Sequence, residues 1–149
     1  MKIFLAADHA GFELKEEVKK YLLEKGITIE DCGAEIFHPE DDYPDFVQLA
    51  ARKVAENSKS MGIVFGKSGA GEAIVANKIK GIRAILGFNK ENVILSRQHN
   101  DANVLSLGSQ FVSKDEVKEL VDFFLNTPFS NEDRHKRRIE KITEIEKES

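Results

Sequence analysis

Short apolar runs alternate with amphipathic stretches along this chain. "KIFLAA" (2–7) is a run of apolar residues ended by polar ones, which predicts a buried strand, and Leu14, Val18, Tyr21 and Leu22 then recur at helical spacing up to Gly26. The unit repeats. "ITIEDCG", "MGIVFG", "IRAILGF" and "NVLSLGS" predict four more strands, and "DDYPDFVQLAARKVAEN", "EAIVANKIKG", "KENVILSRQH" and "KDEVKELVDFFLN" predict the helices between and after them. Strand and helix in strict alternation predict an α/β fold, with a five-stranded parallel sheet covered by helices on both faces. "SNEDRHKRRIEKITEIEKES" adds a helical tail over about 131–147. Its Ser130 and Asp133 stand at capping-box spacing, and Ile139, Ile142 and Ile145 form a narrow apolar stripe that packs on the domain or on a partner subunit.

The 149 residues suit one domain, 1–149, and 41% hydrophobic residues suffice for a single core. A net charge of -4 with mixed signs argues against a nucleic-acid binder, so any anion site is local. Cys32 is the only cysteine, which excludes an intramolecular disulfide and a cysteine-based zinc site and fits a reducing, cytoplasmic setting. The first apolar run is too short for a signal peptide, and no segment approaches a membrane span, so no membrane association is expected.

Ligands of open parallel sheets bind beyond the carboxyl ends of the strands. That directs attention to Asp8 and His9, to the loop from Gly66 to Gly71, to 87–89 and to 108–110. "GKS" is not the end of a phosphate loop, because Gly62 precedes Gly66 by four positions rather than five, and a third dinucleotide glycine is missing where Ile74 stands. What remains is a strand-to-helix turn whose N–H groups can cradle an anion or simply make a turn.

Glu72 stands at the start of the next helix, where a carboxylate is favoured even without a task. Beside an anion-holding loop it also has the placement of a base that removes a proton from carbon next to a carbonyl. His99, Asn100, Asp101 and Asn103 either close a helix or bring polar chemistry to one place. Arg134 and Arg138, four apart, form a solvated basic face or converge on one phosphate. Cys32 reads as a space filler, and His38 and His135 have no distinctive setting.

Taken together, "DHAGFELK", "DYPDF", "GKSGAGEAIVANKIKGIRA", "SRQHNDANVLSLGS", and "FLNTPF" followed by "RHKRR" resemble the ribose-5-phosphate isomerase B family, which includes the galactose-6-phosphate isomerase subunits. The likeness runs from about residue 2 to residue 146. It implies a Rossmann-like three-layer α/β/α sandwich that forms homodimers, in cases tetramers, with each active site shared across the interface. It also implies aldose–ketose isomerisation of a sugar phosphate through an enediolate, without metal or cofactor.

One branch of the family uses a cysteine where this chain has Gly66; another uses a glutamate where this chain has Glu72. On that resemblance Glu72 is the base, Ser68 exchanges a proton with the substrate hydroxyl, and Gly69, Ala70 and Gly71 hold the enediolate oxygen. His99, from the partner subunit, opens the sugar ring with help from Asp8. Tyr43, in the loop before the second helix, and Asn100 orient the sugar, while His9, Arg134 and Arg138 take the phosphate; Gly66 and Lys67 complete the substrate loop. Two positions depart from the family: Gln110 replaces a common arginine, and Lys67 a usually small residue. The reading that follows is ribose 5-phosphate isomerase, with a hexose 6-phosphate isomerase or a non-catalytic sugar-phosphate binder as alternatives.

Overall fold

A computed structural model describes residues 1–149. Five strands, β1 (Lys2–Ala7), β2 (Thr28–Asp31), β3 (Met61–Gly66), β4 (Ala84–Leu86) and β5 (Val104–Gly108), alternate with α1 (Phe12–Glu24), α2 (Tyr43–Glu56), α3 (Ala70–Asn77) and α4 (Lys90–Asn100). Two further helices, α5 (Lys114–Asn126) and α6 (Asp133–Lys147), follow. The strands form one parallel sheet in the order β2-β1-β3-β5-β4. The alternating pattern of the sequence is thus realised as a three-layer α/β/α sandwich.

The three inner strands read as unbroken apolar runs because helices cover both of their faces. On one face Ile3, Leu5, Ile63, Phe65, Leu105 and Leu107 pack against α1, α4 and α5; on the other Phe4, Ala6, Val64 and Val104 pack against α2 and α3. Burying each large apolar side chain contributes roughly 1.5–3 kcal/mol, which makes these two layers the main source of stability. β2 and β4, at the edges, are only half-buried.

Several boundaries move. α3 ends at Asn77 rather than at Gly81, and β2 and β4 are shorter than their apolar runs, since an edge strand loses its ladder partners first. Tyr43 is the first residue of α2, with Pro44 supplying the fixed φ of a first turn, and so does not belong to the preceding loop. The capping box expected at Ser130 and Asp133 does not form: Glu132 is the N-cap and makes no side-chain cap bond, while the Ser130 hydroxyl accepts weakly from the Glu132 N–H at 3.4 Å. A full box forms instead at α5, where Ser113 and Glu116 satisfy each other's N–H groups. The tail helix lies along α4, buries only His135, and leaves Ile142 and Ile145 exposed beside Ile82, Ala84 and Ile85. No helix is long and apolar enough to cross a membrane.

Lys15 is fully buried in α1. Its ammonium donates to both oxygens of Asp31 at 2.8 Å and to the Ala34 carbonyl. Burial alone would raise the Asp31 carboxyl. The bonds from Lys15, the Gly33 N–H and Lys19 outweigh it and leave the pKa below the usual value.

Candidate active site

All five strands end at one rim of the sheet, and the loops there are tied to each other. The Ser109 N–H donates to the Gly66 carbonyl at 2.8 Å, the Gln110 N–H to the Lys67 carbonyl at 3.0 Å, and the Ser109 hydroxyl to the Ala10 carbonyl at 2.9 Å. This lacing holds the ends of β1, β3 and β5 in fixed register. Gly69 adopts φ +80, and a Cβ there would strike Leu86 at 2.6 Å, so only glycine lets the chain turn from β3 into α3.

Glu72 sits in the first turn of α3 and is 3% exposed. Its carboxyl occupies the space in front of Gly66: a Cβ built on Gly66 would lie 1.8 Å from Glu72 Oε1 and 2.6 Å from Oε2. The missing side chain at 66 is therefore what makes room for the carboxyl at 72. Burial pushes the Glu72 pKa up, the nearby Asp8 charge adds to the effect, and N–H groups of Glu72 itself and of Gly69 oppose it without prevailing. A carboxylate so raised holds a proton more readily at neutral pH, as a general base must.

Around it, Asp8 is buried and accepts from the N–H groups of Ala10 and Gly11 at 3.0 and 3.2 Å. The Tyr43 ring lies against Gly71, where a Cβ would come within 2.5 Å of it. Ser68 is exposed on the loop, and its hydroxyl accepts from the Ala70 N–H at 3.2 Å. Lys67 and Gln110 are exposed. Cys32 is half-buried and its thiol is pushed up to about 11 by burial, which keeps it protonated and unreactive.

His9 sits at the same rim. Its backbone N–H and its ring Nδ1 both meet Asp41 Oδ1 at 2.8 Å, and that bond, more than the neighbouring charges, raises the His9 pKa. Asp8, His9 and Asp41 offer ligand atoms within 4.8 Å of one another. Asp8 Oδ1 is taken by the N–H groups of Ala10 and Gly11, and Asp41 Oδ1 by the His9 ring, an arrangement that orients the histidine.

The remaining candidates lie elsewhere. α4 leaves the carboxyl rim after β4 and runs back, so His99 and Asn100 emerge at the amino rim. There the Asn100 carbonyl accepts from Arg83 Nε at 2.8 Å, and the Asn103 carbonyl from the Gly62 N–H at the start of β3. α6 begins beside them: His135, buried at 4% exposure, stacks on His99 with ring centroids 4.3 Å apart and 16° between the planes. Burial and the His99 ring lower the His135 pKa. Arg134 and Arg138 are exposed on the same helix, Arg134 paired with Glu132 at 2.9 Å. Four residue steps of β3 separate Gly62 from Gly66, about 13 Å at ~3.3 Å per step.

The chain thus brings Asp8, His9, Tyr43, Gly66, Lys67, Ser68, Gly69, Ala70, Gly71 and Glu72 to one rim. It carries His99, Asn100, Arg134 and Arg138 at the other. Asp41 and His135, which touch these candidates, escape the sequence reading because an aspartate before a helix and a histidine in a basic stretch carry no distinguishing spacing.

The fold is α/β with one parallel sheet, and a buried carboxyl raised in pKa stands behind a glycine turn among the polar loops at its carboxyl rim. The chain belongs to the Ribose/Galactose Isomerase family, whose model matches residues 3–142. It is 41% identical over 147 residues to ribose-5-phosphate isomerase B of Mycolicibacterium paratuberculosis, covering 99% of this chain and 92% of that one. It is 44% identical over 148 residues to the probable ribose-5-phosphate isomerase B of Mycoplasma genitalium, covering 99% and 97%. The crystal structure of the Mycoplasma genitalium enzyme with bound ribulose-5-phosphate superposes with TM-score 0.95 at 43% identity, covering 99% of this chain and 97% of that one. A solved structure of Clostridium thermocellum ribose-5-phosphate isomerase B matches at TM-score 0.95 and 40% identity, covering 99% of both chains.

Proposed function

We propose that this protein is an isomerase that interconverts ribose 5-phosphate and ribulose 5-phosphate, with Glu72 as its base. The observation that carries the reading is the Glu72 carboxyl, buried and raised in pKa, lodged in the space left open by Gly66. A relative with this fold, 43% identical, binds ribulose-5-phosphate.

In the forward direction Glu72 takes the proton from C2 of the open-chain aldose, and the electron pair moves into a C1–C2 double bond as the carbonyl oxygen becomes an enediolate oxygen. The N–H groups of the Gly69–Gly71 turn are the donors for that developing charge, the Ala70 N–H exchanging its 3.2 Å bond to the Ser68 hydroxyl for the enediolate oxygen. Ser68 passes the hydroxyl proton between O2 and O1, and Glu72 returns its proton to C1, leaving a ketone at C2. Tyr43 and Asn100 hold the sugar chain. His9, Arg134 and Arg138 hold the phosphate.

The two rims meet only if a second copy is present. A two-fold axis perpendicular to the strands sets the carboxyl rim of one copy against the amino rim of the other, so that His99, Arg134 and Arg138 of a second copy close the site of the first. His99 then opens the furanose ring, assisted by Asp8. Exposed Ile142 and Ile145, beside Ile82, Ala84 and Ile85 at the β4 edge, supply apolar area for such a homodimer.

The test is ribulose 5-phosphate formation from ribose 5-phosphate by the wild type and by Glu72→Gln, with galactose and allose 6-phosphates in parallel. The reading expects pentose turnover that the variant loses. Turnover of a hexose phosphate alone would move the substrate and keep the chemistry, and silence on every sugar would leave a binding protein.

A further inference from the structure

The Asp41 side chain is only 10% exposed, and its Oδ2 is buried with no hydrogen-bond partner. Its Oδ1 takes both the backbone N–H and the ring Nδ1 of His9, each at 2.8 Å, which fixes the histidine at its main chain and at one ring edge. Phe37 stands edge-on to the imidazole, with centroids 6.5 Å apart and an interplanar angle of 83°. The ring is thereby confined. Nε2, on its far side, remains available, and His9 lines an open cavity of about 330 Å³ with Ser109, Ser113 and Lys114.

We propose that Asp41 is a positioning residue for substrate phosphate: by holding His9 through Nδ1 it aims Nε2–H at the phosphate and keeps the imidazole in its charged form. The inference rests on the phosphate role of His9 proposed above. A buried carboxylate with one unanswered oxygen is costly unless its partner is a cation, so Asp41 favours the imidazolium over the neutral ring. The other charged groups around His9 are Asp8 at the end of β1 and, across the cavity, Glu13 of α1 and Lys114 of α5. Asp41, through its hydrogen bond to the ring, dominates the upward shift of His9 and Asp8 adds to it. A group raised in this way loses its charge only as pH climbs through the raised value. Phosphate binding should therefore persist to higher pH in the wild type than in a protein without Asp41.

The experiment compares the wild type with Asp41→Asn by following the His9 ring resonance through a pH titration, with and without inorganic phosphate, and by measuring KM and kcat for ribose 5-phosphate across the same pH range. In Asp41→Asn the His9 midpoint should fall and KM rise by about two- to fivefold, the scale of one partly exposed charged contact. kcat should stay within about twofold, and Asp41→Glu should recover part of the KM. An unchanged midpoint, or a loss confined to kcat, overturns the inference. If inorganic phosphate leaves the wild-type His9 resonance unmoved while the midpoint still falls in the variant, the phosphate role of His9 fails and its coupling to Asp41 stands.

Discussion

Replacing Gly66 by alanine adds one methyl group at the place where the proposed base sits. Gly66 has no positive φ, so the backbone accepts alanine, and the cost falls on the side chain opposite. The new Cβ would stand 1.8 Å from Glu72 Oε1, and reaching even a tight 3 Å contact requires the carboxyl to retreat by about 1.2 Å. A misplacement of that size at a reacting group costs on the order of 100-fold in rate, or about 2.7 kcal/mol of transition-state stabilisation. Overpacking adds a stability loss of about 1–3 kcal/mol. Gly62→Ala, in the same strand, is the control: its Cβ meets Val54 and Val104 methyl groups at 3.1 and 3.2 Å and the Phe4 carbonyl oxygen at 3.7 Å, none of them in the candidate site, so it should lose stability while keeping kcat. Steady-state isomerisation of ribose 5-phosphate, measured beside urea denaturation of each variant, separates the two effects. A Gly66→Ala enzyme with kcat within about twofold of wild type would refute the placement of Glu72 as base.

Two further outcomes follow from the buried charges. Because burial raises the Glu72 pKa, the ionised form weighs on the folded state above the ordinary carboxyl value of 4.5 and ceases to do so below it. Glu72→Gln should therefore be more stable than wild type at pH 8, with the gain vanishing near pH 4; a gap of the same size at both pH values in chemical denaturation would contradict this. Lys15→Met should cost about 3 kcal/mol at pH 7, since it strands Asp31 with only Lys19 and the Gly33 N–H. The lowered Asp31 carboxyl contributes stability above its ordinary value of 3.8 and loses it as pH falls through the folded value, so urea titrations should converge for the two proteins in that acid range.

The fold was legible because unbroken apolar runs alternate with period-3.6 stripes, and β2 and β4 are shorter than their apolar runs because an edge strand has one ladder partner. Glu72 and the glycine turn could be placed from sequence, since a carboxylate after a strand and three glycines has few positions open to it. The family resemblance assigned His99 to a partner subunit, but no local pattern showed why: His99 lies 27 residues after Glu72 in sequence, and the return path of α4 takes it to the opposite end of the sheet. Lys15 and Asp41 were invisible for another reason. Whether a charged side chain is buried depends on partners 16 and 32 residues away, and no local pattern records that.

Mixing two inactive proteins tests most directly whether the site is assembled from both rims. Glu72→Gln spoils the carboxyl rim and His99→Ala the amino rim, so a homodimer exchanging subunits at random from equal amounts regains about a quarter of its sites intact. Isomerisation of ribose 5-phosphate by the mixture, after mass spectrometry has confirmed subunit exchange, should reach roughly that fraction of the wild-type rate. A mixture that exchanges subunits fully and shows no more activity than the sum of the two separate variants would contradict a site shared between copies.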